Sequence, residues 1–156
     1  MKIWAIILLI LILLVAGYFV FFYKNKTKEQ GQLNMAEMKV GEAKLTVELA
    51  DDLSEQIQGL SDRNSLCRDC GMLFIYSEEK VQNFWMRGMH FDLDFLFIRG
   101  GKVTEIKENI PAPSVNNPAN IVSIQSREQA DMVLEVNAGY VKKHGIKVGD
   151  VAVLTR

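Results

Sequence analysis

The chain has 156 residues, 49% of them hydrophobic and 24% charged, with a formal net charge of −1 at pH 7. That length allows one domain of ordinary size and little more. With 18 basic against 19 acidic residues, it lacks the electrostatic footprint of a general DNA- or RNA-binding protein.

The hydrophobic residues are unevenly placed. Residues 3–22 (IWAIILLILILLVAGYFVFF) contain no charge and no proline. As a helix this run would span roughly 30 Å, the hydrocarbon thickness of a bilayer. It predicts a transmembrane anchor over residues 1–23, embedded in the lipid bilayer through 3–22. No later run approaches this length, so a multi-pass transporter is excluded, as is a freely soluble cytosolic protein. A cleaved signal peptide needs a shorter apolar core and a small-x-small cleavage site. Here the run ends in bulky Tyr18, Phe19, Val20, Phe21, Phe22 and Tyr23, with Trp4 near its other end. Aromatic residues suit both headgroup levels, so an uncleaved single-pass signal-anchor is the expectation.

Orientation is read from two opposed signals. Lys24, Lys26 and Lys28 follow the run, and Lys2 with the amino terminus precedes it, which leans toward a cytoplasmic head. A start of Met-Lys before a long apolar run is the layout of a secretory signal-anchor, which favours a head outside the cytoplasm. The extracytoplasmic placement, at the cell envelope, is the one expected. Without those four lysines and Glu29 the rest of the chain holds 14 basic and 18 acidic residues, a mildly acidic head.

Residues 24–38 are polar and aperiodic and read as a tether, leaving 39–156 as the folded domain. Ala43 to Leu49 alternates apolar and polar side chains, as a half-buried strand does. Asp51 or Asp52 then offers an N-cap oxygen. Leu53, Ile57 and Leu60 share one helical face, predicting a short amphipathic helix over Asp52 to Asp62. Gly71 to Tyr76 reads as a buried strand, with Val81 to Arg87 as its hairpin partner. Leu93 to Ile98 is another strand. Gly100 and Gly101 accept positive φ and make a tight turn into a returning strand, Val103 to Ile110. Pro111, Pro113 and Pro118 mark an irregular loop. Ile121 to Ile124 and Met132 to Val136 read as short strands, and Ala138 to His144 as a helical turn or two stopped by Gly145. A last strand runs from Val151 to Leu154. Seven or eight short strands with one or two short helices predict a mainly β domain, at the margin of α+β, built as a compact β-sandwich or small β-barrel.

Several sets of residues then stand in a fixed order. They are Gly59-Leu60-Ser61 with Arg63, Gly71 to Ile75, Phe84-Trp85-Met86-Arg87, Leu93-Asp94 with Phe97-Ile98, Val133 to Val136 with Ala138-Gly139, and Gly145-Ile146 with Gly149-Asp150. The ordered set closely resembles the DUF192 family, small bacterial and archaeal domains of unknown function, over about residues 40–154. The resemblance implies a compact β-rich fold with a short helix before the Gly-Met-Leu-Phe strand. It implies no reaction. Many members look exported or membrane-anchored, which agrees with the outside placement by analogy. Leu66 to Cys70 departs from the family's commoner pattern, which has no Cys pair there.

The Cys67 and Cys70 pair is the sharpest local feature. It can be a structural disulfide, inert thiols, a redox dithiol or half a zinc site. A strand follows it rather than a helix, which weakens the redox version, although Arg68 favours a thiolate. Two Cys cannot close a zinc site, and neither His90 nor His144 stands in ligand spacing. Phe84 to Phe91 is dense in aromatic residues and Met, the wall of a ligand pocket or simply alternating core. On alternation, Trp85 and Arg87 share the face opposite Phe84 and Met86 and form the better ligand surface. Asp94 and Glu135 interrupt apolar runs. They turn outward by alternation or, if buried, need a partner such as Arg63 or Arg87. Asp92 and Asp94 share a strand face, a weak signal for a divalent cation.

No nucleophile motif, phosphate loop or metalloprotease signature is present, and no cofactor is expected. The first expectation is a non-catalytic binding or accessory module for a small ligand or an envelope protein, with its surface at Arg63, Trp85, Arg87, Asp94 and Glu135. The alternative is a thiol-disulfide oxidoreductase using Cys67 and Cys70. A third and weaker reading is an enzyme working through Asp94 or Glu135.

Overall fold

The computed structural model describes Trp4 and residues 14–19, 34–114 and 121–155. The chain divides into two compact units, Met1–Gln32 and Leu33–Arg156. In the first, Trp4 and residues 14–19 are helical, with Trp4, Leu14, Val15, Tyr18 and Phe19 exposed. The rest of the run expected to anchor the chain, and most of the tether, lie outside the described residues. Among those described, no helix is long and apolar enough to cross a membrane.

The second unit holds seven strands: β1 (Met35–Val40), β2 (Ala43–Ala50), β3 (Cys70–Trp85), β4 (Leu93–Arg99), β5 (Lys102–Ile110), β6 (Ser123–Asn137) and β7 (Ala152–Thr155). Two short helices join them, α1 (Leu53–Gln58) and α2 (Tyr140–His144). The strands form one mixed sheet in the order β5-β4-β6-β3-β2-β1-β7. β2 and β3 run parallel across the α1 crossover, and the other neighbours are antiparallel. β1 begins at Met35, inside the stretch read as tether.

The mainly β class is as expected, but the sheet is neither a two-sheet sandwich nor a closed barrel. Among the described residues, the two ends of the sheet meet through one isolated bridge, between Lys102 of β5 and Val151 just before β7. Beside it, Val103 N–H donates to Asp150 O at 2.9 Å and Ala152 N–H to Gly101 O at 2.9 Å. β7 has four residues, and among the described residues no further bridge joins it to β5, so the ring stays open.

Two pairs of predicted strands are each one long strand. Residues 71–76 and 81–87 are not hairpin partners. Ser77 to Lys80 carries the extended backbone through, so β3 runs for 16 residues. Residues 121–124 and 132–136 likewise belong around and within the 15-residue β6. β3 and β6 pair from Gly71↔Val136 to Trp85↔Ser123, with register shifts between Ile75 and Lys80 and between Val81 and Asn83. Polar residues mid-strand suggested turns, but here they sit where the ladder bulges toward solvent.

Alternation along the central strands feeds two cores, one on each face. Leu73, Leu96, Leu134 and Val136 point into the first, which α2 covers with Tyr140 and Val141. Met72, Phe74, Phe95, Phe97 and Val133 point into the second. There Phe84 sits edge-on to Phe74 and Phe95, with ring centroids 4.9 and 5.7 Å apart, a favoured aromatic arrangement. The strands pass closely. A Cβ on Gly71 would lie 2.8 Å from Glu135 O and 2.9 Å from Leu134 Cδ1, so glycine alone fits there.

The α1 helix is shorter than predicted. Asp52 caps it, Oδ1 accepting from Glu55 N–H at 2.8 Å while the Glu55 carboxylate accepts from Asp52 N–H at 3.3 Å, a capping box. Gly59, at φ 50°, ends it. Its apolar face is not buried. Leu53 is 73% and Ile57 58% exposed, while Leu60, beyond the helix, is buried.

Asp94 is fully buried on β4 and serves the backbone. Its Oδ1 accepts from Asn109 N–H at 2.8 Å and its Oδ2 from Val141 N–H at 3.0 Å. It thereby holds a positive-φ residue of β5 (Asn109, φ 56°) and the start of α2. Asp94→Ala leaves two donors without their acceptor and should cost about 2–4 kcal/mol. Asp94→Asn keeps one acceptor oxygen and should cost less. Urea denaturation of both variants checks this, and an unchanged midpoint for Asp94→Ala would overturn the assignment.

Candidate functional site

A cleft opens on the second core's face between α1, the segment that follows it, and β3. Glu135 reaches it from near the C-terminal end of β6, where it pairs with Met72 on β3 and Phe95 on β4. Phe74, Tyr76 and Phe84 from β3 line the same cleft, and Ile57 and Trp85 stand exposed at its edge. Asn83, Gln56 and Gln58 supply amides. Gln56 is committed to the fold, its amide nitrogen donating to Ile75 O at 2.8 Å. Inside, the cleft measures about 50 Å³, room for a few water molecules or one small group of a ligand.

Glu135 is the unusual member. It is 4% exposed, and among the described residues no hydrogen bond or ion pair reaches its carboxyl group. An unpaired buried carboxylate is costly. Burial accordingly pushes its pKa up to about 8, so at neutral pH the group is mostly protonated. Tyr76 is also pushed upward, first by burial and then by the nearby Glu135 charge. A neutral carboxyl can donate one hydrogen bond, and an ionised one can face a cation. Among the described residues, neither a histidine nor another carboxylate lines the cleft. Ser61 lines it, but its hydroxyl donates to Arg87 O at 2.9 Å.

The structure brings two of the sequence-predicted residues, Trp85 and Glu135, to this cleft and places the others elsewhere. Arg63 is bound bidentately to Glu48, at 2.6 and 2.8 Å. Arg87 is exposed and offers its backbone carbonyl to Ser61. Asp94 is spent on backbone donors, and so is Asp92, whose Oδ1 accepts from Ala112 N–H at 2.8 Å. Neither arginine partners Glu135. Tyr76, Asn83 and Ile57 were not expected from sequence as site residues. The available signal for Tyr76 was one hydroxyl closing an otherwise apolar run. Among the described residues, no group of three or more His, Cys, Asp or Glu side chains is placed to hold a metal ion.

Cys67 and Cys70 are joined by a disulfide with Cα atoms 5.2 Å apart. Cys67 is exposed. Asn137 holds the turn, its amide nitrogen donating to Cys67 O at 2.8 Å. Asp69 forms an ion pair with Lys143 and lies near His144, both at 3.8 Å.

Residues 36–154 match the DUF192 family, described as an uncharacterized ACR. No curated protein matches. One similar solved structure, from Sinorhizobium meliloti 1021, is provisionally described as a transcription regulator. It is 34% identical over 80% of this chain and 97% of its own, with a TM-score of 0.72. Another, a protein of unknown function from Novosphingobium aromaticivorans DSM 12444, is 28% identical over 78% of this chain and 86% of its own, with a TM-score of 0.69.

The raised Glu135 pKa has a consequence for stability. The folded carboxyl holds its proton to about pH 8, whereas an unfolded one loses it near 4.5. Between those values the folded state binds more protons, so stability falls as pH rises, by up to about 1.4 kcal/mol per pH unit from this one group. Glu135→Gln removes the slope. Urea denaturation at pH 5, 6.5 and 8 should show the native chain losing stability relative to the variant, and parallel curves would refute it.

Proposed function

The chain belongs to the DUF192 family, and we propose that it is a membrane-tethered binding module without a reaction of its own, taking its ligand into the cleft over Glu135. One observation carries the reading: Glu135, a residue 4% exposed, lines an open cleft with no group among the described residues paired to its carboxyl. Nothing in folding rewards that placement, because an apolar side chain of similar size would pack there more cheaply. Such defects persist where function requires them. The exposed Ile57 and Trp85 at the mouth support the same reading, since apolar side chains left at a cleft's edge mark a contact surface.

The tether is proposed from the 20 uncharged residues 3–22 and the lysines on either side. An extracytoplasmic head agrees with the Cys67–Cys70 bridge, because cytosolic thiols are kept reduced. The description of one relative as a transcription regulator does not transfer well to a head with more acidic than basic residues.

A second reading, thiol–disulfide exchange, is favoured by the exposure of Cys67 alone. Its measure is the reduction potential. A value below about −300 mV marks a structural bridge, and one between roughly −270 and −120 mV an exchange catalyst.

The binding reading is tested with the full-length chain in lipid nanodiscs. With Trp4 replaced by Phe, Trp85 is the one indole left. The probes are fragments carrying one aromatic or branched alkyl group and one polar end, in neutral, anionic and cationic sets. At least one set should shift Trp85 emission in this chain and fail to do so once Glu135→Leu is added. If no set shifts it, the binding reading is wrong.

A further inference from the structure

The cleft's lining narrows what it accepts, given the reading of it as a ligand site. Among the described residues, no Lys, Arg or His lines it, and the one side chain there that ionises at ordinary pH is Glu135. An anionic ligand would find no partner. A purely apolar one would leave the buried carboxyl group as unpaired as before, at the cost of a missing hydrogen bond. The walls are aromatic, from Phe74, Tyr76, Phe84 and Trp85, and aromatic faces attract cations through their quadrupoles. We propose that the occupant is a small organic ammonium group, a primary or methylated amine, that takes Glu135 as its counter-ion and the aromatic side chains as its walls.

A precedent stands beside the cleft. Lys80, on the exposed middle of β3, places its ammonium 4.9 Å from the centroid of the Tyr76 ring. This shows that one wall residue already receives a cation from the chain itself. Lys80 does not line the cleft and makes no ion pair with Glu135, so the carboxyl group remains available.

Binding is coupled to a proton. In the empty cleft at neutral pH, Glu135 holds its proton because of burial. When a cation arrives, the O–H bond breaks and the proton leaves to solvent. The electron pair stays on the carboxylate, which becomes the counter-ion, so one positive charge is exchanged for another. The groups facing Glu135 do not complicate this exchange. Tyr76 from β3 stays protonated. Phe95 from β4, Met72 from β3 and Gln56 from α1 carry no charge.

The experiment compares choline with its uncharged isostere 3,3-dimethylbutan-1-ol, and adds butylammonium as a primary amine. Isothermal titration calorimetry is run on the full-length chain in nanodiscs at pH 6.5, in two buffers of different ionisation enthalpy. Choline or butylammonium should bind at least tenfold more tightly than the alcohol. The buffer difference should report release of nearly one proton per ligand, and Glu135→Gln should lose both the preference and the release. If the alcohol binds as tightly as the cations and no proton is released, the cleft is a ligand site and the ammonium assignment is wrong. If none of the three binds while fragments of another class still shift Trp85 emission, the assignment is wrong for the same reason. If no probe of any kind reports binding to a folded chain, the ligand site itself is refuted.

Discussion

The pairing of β3 with β6 is the constraint on which the rest of the head is built. These two long strands lie at the centre of the sheet, with β4 and β5 added on one side and β2, β1 and β7 on the other. Each feeds alternate side chains into both cores. The close passage at Gly71, where any side chain would meet the β6 backbone, sets how near the two can lie. Where residues 71–74 of β3 lie against 133–136 of β6 both faces are covered, so a polar residue in that part of either strand has no outward direction available. Glu135 is therefore buried by topology, and its protonation state follows from that burial.

The same constraint separates the acidic residues by role. Asp94 and Glu135 both interrupt apolar runs, and both are almost fully buried. Asp94 faces backbone N–H groups that the β5 irregularity and the start of α2 leave without other partners, and it satisfies them. Glu135 faces Met72, Phe95 and a cleft. One carboxyl group stabilises local backbone, and the other has no partner among the described residues. Sequence alternation alone could not distinguish these cases, because the difference lies in what packs opposite each residue.

Much of the fold was legible locally. The β2 alternation, the Asp52 cap, the Gly100-Gly101 turn and the short α2 stopped by Gly145 all depend on residues within a few positions of one another, and all stand in the structure. The ordered family motifs carried the domain assignment. What was not legible was long-range. Whether Ser77 to Lys80 turns or runs straight depends on β6 lying alongside. Leu53 and Ile57 have helical spacing but no partner surface, so periodicity predicted a burial that does not occur. The open sheet follows from a single bridge between Lys102 and Val151, which no pattern within either segment announces. Trp85 and Glu135 were visible as unusual residues, but their meeting in one cleft, while Arg63 turns to Glu48, is a matter of three-dimensional placement.

The arrangement of β1 and β7 has a consequence for how such a head can be carried. These two strands are hydrogen-bonded neighbours, with Glu37 opposite Thr155, so the backbone comes in and goes out at adjacent points. A unit with its two ends side by side can be spliced into a surface loop of an unrelated protein without stretching either partner. This domain is thus suited to transplantation as a self-contained cassette, joined to a host at one end or at both.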